Sequence, residues 1–131
     1  MDNGSTYPPL LEWYARCPYK IHHFTNNYYN RGLWQSGILD TYKDKNYILT
    51  DPDLDLSSVP TDFIQCLFVG LENNPNVMKS GLSLKIDDLP ENEYTKKVIT
   101  WEKKWWETPQ DKYGFYASDI DTTLALYDSE R

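Results

Sequence analysis

The clearest pattern along the chain is a repeat of apolar residues at spacings of three and four, the period of an α-helix with one buried face. Three segments show it and predict helices near residues 8–17, 61–72 and 91–107. Pro8 and Pro9 suit a first helical turn, and Pro18 ends the first segment. Thr61 and Asp62 offer capping oxygens to the second helix.

The 91–107 segment has the strongest helical pattern and also the most unusual cluster of side chains. Its apolar positions share one face of the predicted helix, namely Tyr94, Val98, Trp101 and Trp105. Trp106 is turned by about 100° from Trp105, so we expect it at the margin of the buried face. A large ring at such a margin is typical of a binding hot spot, whereas a wider apolar stripe would bury all three tryptophans.

Shorter segments are rich in β-branched and aromatic residues or alternate in polarity, and we interpret them as strands. They are residues 19–24, 28–38, 45–50, 81–86, 113–117 and 122–128, the last two joined as a hairpin. The segments lack regular βαβ alternation, which predicts an α+β fold with a mainly antiparallel sheet and about three helices. The length of 131 residues, without an obvious linker, indicates one domain over 1–131.

The acidic charge of the chain is concentrated after residue 39. The formal net charge is −7, of which residues 1–39 carry +1 and residues 40–131 carry −8. Binding to phosphates requires basic side chains, so this charge argues against nucleic acid and anionic membrane surfaces as partners. It favours a basic protein, which an acidic surface attracts over a distance. The same charge is also compatible with a role in solubility alone.

Acids in three polar segments, together with one aromatic anchor, are the residues that we expect to contact a basic partner. The segments are residues 51–62, 87–93 and 118–130. The candidate partner-binding residues are Asp51, Asp53, Asp55, Asp87, Asp88, Trp106, Asp119 and Asp121.

Part of the acidic 51–62 loop resembles a calcium loop in outline. Asp51, Asp53 and Asp55 occupy alternate positions, and Asp62 follows at the twelfth. The sixth position is Leu56 instead of the glycine that the sharp turn of such a loop needs. We therefore predict no metal site in this loop.

Catalytic and cofactor signatures are missing from the sequence. His22 and His23 would point to opposite faces of a strand, so they are not expected to share a metal ion. The chain has no phosphate-binding glycine loop and no nucleophile elbow, and we predict no cofactor and no catalytic residue. Cys17 and Cys66 lie in apolar segments, where a free thiol is usually buried. Without a secretory signal or a long apolar run, a cytoplasmic protein is expected.

These observations favour an interaction protein over an enzyme. The leading hypothesis is a small acidic domain that neutralises or inhibits a basic protein, such as a toxin or nuclease, in the manner of immunity proteins, antitoxins and inhibitors. A structural component of a larger complex is one alternative. A small enzyme or ligand-binding domain, with a site assembled around His22 or His23 and acidic partners, is the other.

Overall fold

The change of charge along the sequence falls close to a structural boundary. The computed structural model describes residues 1–107, 109, 111–120 and 123–131. Residues 1–43 form one compact unit and residues 44–131 form another. The first unit carries a net charge of +1 and the second −8. The predicted α+β class is confirmed. The chain divides into these two compact units, and a single domain over 1–131 stays a prediction.

The first unit begins with a short helix that two prolines start. Pro8 and Pro9 open α1 (Pro8–Tyr14), because their missing N–H groups fall where a first turn leaves donors unbonded anyway. The helix ends at Tyr14 and a turn follows. Cys17, which the sequence placed on the helix, therefore lies beyond it and is half-buried.

The strands predicted at 19–24 and 28–38 are wrong. Residues 28–38 belong to a helical stretch made of the 3-10 turn Tyr29–Arg31, helix α2 (Gly32–Gln35) and the 3-10 turn Ile38–Tyr42. Packing overrides the local preference of this aromatic-rich stretch, because a Cβ at Gly32 would lie 2.9 Å from the ring of Phe24. Within the described part of residues 19–24, the β-pairing is a single bridge between Asp2 and His23.

A short antiparallel sheet organises the second unit. The described residues form three strands, β1 (Tyr47–Leu49), β2 (Lys79–Gly81) and β3 (Ala125–Tyr127), in the order β1-β3-β2. The strand predicted within 45–50 and the one within 122–128 are confirmed. The strand at 81–86 and the hairpin of 113–117 with 122–128 are wrong. β3 has β1 on one edge and β2 on the other, which leaves no edge for residues 113–117.

Helix α3 (Phe63–Asn73) supplies the apolar side of the core. Its leucines meet those of β3 and the residue before it in a buried cluster of Leu67, Leu71, Leu124 and Leu126. The predicted helix is confirmed, but the expected cap is not, because the side chain of Asp62 forms no capping hydrogen bond. Cys66 points away from the core and is exposed, contrary to the burial expected for it. At the other end, the Arg131 guanidinium donates to the carbonyl oxygen of Leu71 at 3.1 Å.

Helix α4 (Glu93–Lys103) continues into the 3-10 turn Lys104–Trp106 and confirms the third predicted helix. Asn92 and Thr95 form a capping box at its start. Thr95 is buried, which rotates the helix so that Tyr94 and Trp101 are 75% and 63% exposed. The inward face is therefore turned from the predicted one by less than one residue: Val98 and Trp105 lie on both faces, whereas Tyr94 and Trp101 do not turn inward. The face that turns inward is formed by Thr95, Val98, Ile99, Glu102 and Trp105.

Candidate partner-binding site

A cleft of about 730 Å³ opens in the second unit. It lies between the C-terminal half of α3, strand β2, the 3-10 turn after α4 and the 114–120 segment. Trp106, Tyr116 and Asp119 are among its lining residues. The cleft therefore combines an aromatic wall with a carboxylate and with Lys79, whose ammonium donates to the carbonyl oxygen of Ile120, a composition suited to a polar or charged group.

Close packing between α3 and β2 forms one wall of the cleft. A Cβ at Gly70 would lie 2.7 Å from a ring carbon of Phe115 and would also meet the Ser80 hydroxyl, so only glycine lets these elements approach. Ser80 is buried, and within the described part of the chain its hydroxyl has no hydrogen-bond partner. This wall thus presents a hydroxyl group with unused hydrogen-bonding capacity beside the Phe115 ring.

Asp111 holds the loop that carries the aromatic wall. One carboxylate oxygen accepts from the backbone N–H of Tyr113 at 2.8 Å and of Phe115 at 3.3 Å. The other accepts from the side-chain amide of Asn74 at 2.8 Å. These hydrogen bonds, that of Asn74 foremost, lower the pKa of Asp111. Gly114, with a φ of 86°, completes the turn.

Trp106 and Tyr116 form an exposed ring pair at the cleft. Their ring centroids are 6.3 Å apart and the ring planes are tilted by 46°. Trp106 is 42% exposed and Tyr116 is 40% exposed. Trp106 is partly exposed, as a position at the margin of the buried face predicts, but it lies in the 3-10 turn Lys104–Trp106 and not on α4. Tyr116 was not singled out from the sequence.

A second aromatic cluster on the same helical segment already contains a cation. The Lys104 ammonium lies 3.3 Å from the ring centroid of Trp101 and 4.3 Å from that of Trp105. In the sheet, the Lys79 ammonium lies 5.6 Å from the ring centroid of Tyr127 and donates to the carbonyl oxygen of Ile120. Aromatic rings in this unit thus act repeatedly as partners of lysine.

The predicted acidic residues do not converge on one site. Asp119 lines the cleft with Trp106. Five others do not line it and lie at separate places on the unit, namely Asp51, Asp53, Asp55, Asp87 and Asp88. Asp121 lies outside the described residues. The cleft thus combines the aromatic candidate with one acidic candidate.

Local contacts explain where the remaining acids point. Leu54 packs against the leucine core, so its neighbours Asp53 and Asp55 face solvent. The backbone N–H of Ser57 donates to Asp55 at 2.9 Å, which lowers the pKa of Asp55. Lys85 pairs with Asp88 at 2.9 Å and with Asp87 at 3.8 Å, so this acidic pair already has an internal counter-charge.

The first unit contains an acidic residue that the sequence analysis missed. Asp2 is buried, and its carboxylate lies 3.2 Å from Nδ1 of His23 and accepts from the Tyr14 hydroxyl at 3.3 Å. Hydrogen bonding to Ser5, against the opposing effect of burial, lowers the pKa of Asp2. The carboxylate therefore joins the start of the chain to α1 and to residue 23. The cleft of the second unit is lined by neither histidine.

Within the described ranges, no three His, Cys, Asp or Glu side chains come together in a way that could hold a metal ion. Cys17 and Cys66 are both free thiols. None of the described helices is both long enough and apolar enough to cross a membrane.

Comparison with known proteins does not place the chain in a family. No protein-family model, no curated protein and no solved structure matches it. The functional argument therefore depends on the geometry and charge of the site alone.

Proposed function

We propose that the chain is a cytoplasmic binding protein that neutralises or inhibits a basic protein partner, and that residues 44–131 make the contact. The observation that carries the proposal is the Trp106–Tyr116 ring pair, which is exposed beside a cleft on a unit of net charge −8. Exposed aromatic rings are the usual anchors of protein interfaces. Surrounding negative charge accelerates association with a basic surface.

The acidic residues contribute to this function in two ways. Asp119 lines the same cleft as the aromatic anchor. The solvent-facing Asp53 and Asp55 lie elsewhere on the unit and act over a distance, through the field that draws a basic partner towards it. Because that field is screened by salt, the association rate is the quantity most sensitive to these acids.

Capture followed by rebinding tests this function. The tagged chain is used as bait in a lysate of its source cells, and each captured protein is purified and rebound on a biosensor from about 50 to 500 mM salt. We expect one basic protein whose association rate constant falls by about tenfold or more over this range, because surface charges are screened within a Debye length.

A charge variant provides the control for the rebinding experiment. Asp53→Asn combined with Asp55→Asn removes two solvent-facing charges and should lower the association rate constant while leaving the dissociation rate constant nearly unchanged. Capture of acidic proteins only, or association that is independent of salt, would contradict the proposed function. Self-association of the chain into a large complex would favour the assembly role instead.

A further inference from the structure

We propose that the cleft binds an arginine side chain of the partner, with its guanidinium on the rings of Trp106 and Tyr116 and next to the carboxylate of Asp119. This inference depends on the proposed function, because it names the chemical group by which a basic partner would enter the cleft.

Among the described residues, no cation lies over the Trp106–Tyr116 ring pair. In the part of the chain that the structure describes, the ammonium groups that lie over aromatic rings belong to Lys79, Lys104 and Lys112. None of them lies over Trp106 or Tyr116. Since rings of the same unit hold lysines at Trp101, Trp105, Tyr113 and Tyr127, the open pair is suited to a cation supplied from outside.

The polar groups of the cleft differ in whether they already have a partner within the chain. Both N–H groups of the Asn74 amide are engaged, with the carbonyl oxygen of Gly70 at 3.0 Å and the Asp111 carboxylate at 2.8 Å. Asp119 is exposed and takes part in none of the ion pairs among the described residues. Asp119 therefore gives the cleft a negatively charged acceptor that none of the described ion pairs occupies.

The geometry of the ring pair favours arginine over lysine. A cation is attracted when it lies within about 6 Å of a ring centroid, and the two centroids are 6.3 Å apart, so one group can lie within that distance of both. A guanidinium is flat, stacks on a ring and keeps N–H groups in its plane free for a carboxylate. A lysine ammonium is a compact point charge and gains less from stacking.

The net charge of residues 44–131 favours an arginine side chain over two other possible occupants of the cleft, a nucleic acid and a second copy of the same unit. A net charge of −8 repels both a nucleic acid and a second copy of residues 44–131. It attracts a basic protein, and in that protein arginine is the side chain that combines positive charge with a planar surface.

The test uses capped tripeptides, so that no polycation binds simply by its total charge. Acetyl-Gly-Arg-Gly-amide, its lysine analogue and its neutral citrulline analogue are titrated into the full chain at constant ionic strength. Tryptophan indole N–H signals are followed by NMR. We expect the arginine peptide to shift the Trp106 signal saturably and to leave the Trp101 signal in place. The lysine peptide should bind about threefold or more weakly, and the citrulline peptide about tenfold or more weakly.

Two variants with the same change of charge locate the effect. Asp119→Asn should weaken binding of the arginine peptide by about threefold or more, whereas Glu72→Gln, at an exposed position of α3 outside the cleft, should leave it unchanged. Unaltered amide signals of Leu124 and Leu126 confirm that both variants are folded. Equal binding of arginine and citrulline peptides, or equal losses in both variants, would overturn the proposal. So would a single-stranded oligothymidine that displaces the peptide.

The peptide titration needs no protein partner. A captured basic protein combined with no arginine binding would reject this inference and leave the proposed function standing. Arginine binding without any captured basic protein would support this inference and count against the proposed function.

Discussion

Two aromatic clusters at the end of α4 differ in one respect that bears on function. Trp101 and Trp105 enclose the ammonium of Lys104, whereas the described residues place no cation over Trp106 and Tyr116. Trp101 is the more exposed ring of the two tryptophans, at 63% against 42% for Trp106. Exposure alone would therefore favour Trp101 as the anchor, whereas we propose Trp106. What distinguishes Trp106 is a free ring face beside a cleft, and this makes the two clusters natural controls for each other.

The largest effect should come from a cavity in the leucine core of the second unit. Leu71→Ala deletes a buried side chain of the leucine core and should lower the free energy of unfolding by about 2–5 kcal/mol, as cavity-forming substitutions do. Phe68→Ala on the same helix removes an exposed ring and should have a clearly smaller effect. Chemical denaturation monitored by tryptophan fluorescence measures both. Similar losses in the two variants would show that the core has been assigned to the wrong face of α3.

A smaller effect on stability is expected when the lysine is removed from the cluster of Trp101 and Trp105. Lys104→Gln removes the ammonium between Trp101 and Trp105 and should lower the free energy of unfolding by about 0.5–1 kcal/mol, the value of an exposed cation–π contact. Lys97→Gln, also on exposed α4 surface, is the matched control. In Lys104→Gln the Trp101 indole signal should become sensitive to the arginine tripeptide. If it stays insensitive, the presence of an internal cation does not explain the difference between the clusters.

The smallest effect is a pH-dependent shift of the NMR signals of the loop that carries Tyr116. Hydrogen bonds lower the pKa of Asp111 in the folded protein below its ordinary value of 3.8. Its contribution to stability is therefore complete above that value and is lost as the pH falls through the lowered pKa. We expect the amide signals of Tyr113 and Phe115 to report this titration by NMR. Asp111→Asn should abolish it, and a titration that persists in Asp111→Asn would assign it to another group.

The sequence predicted the three longer helices because each holds enough apolar repeats to outweigh local ambiguity. Trp106 is exposed as expected, but for a different reason: it lies in the 3-10 turn Lys104–Trp106 after α4, where the 100° offset of an α-helix does not apply. The sequence misplaced the buried face of α4, because the period alone does not say which side turns inward. Burial of Thr95, a polar residue in the capping box, decided that question.

The rest of the candidate site depends on contacts between residues far apart in the chain. Asp111 meets Asn74 across 37 positions, and no local pattern reveals that pairing. A partial signal existed in the segment itself, since Asp111 and Gly114 stand at the first and fourth positions of a typical β-turn. Several short strands were predicted wrongly for the same reason. The pairing of β3 with β1 and β2 depends on contacts between residues far apart in the chain.

The most direct test of the binding role compares the two clusters on the captured basic protein. Equilibrium dissociation constants are measured for Trp106→Ala and Trp101→Ala, and denaturation of each variant checks that its stability is close to that of the parent chain. We expect Trp106→Ala to weaken binding by about 2 kcal/mol or more, about thirtyfold, and Trp101→Ala to change it by less than about threefold. Equal losses in both variants, or a large loss of stability with unchanged binding in Trp106→Ala, would contradict it.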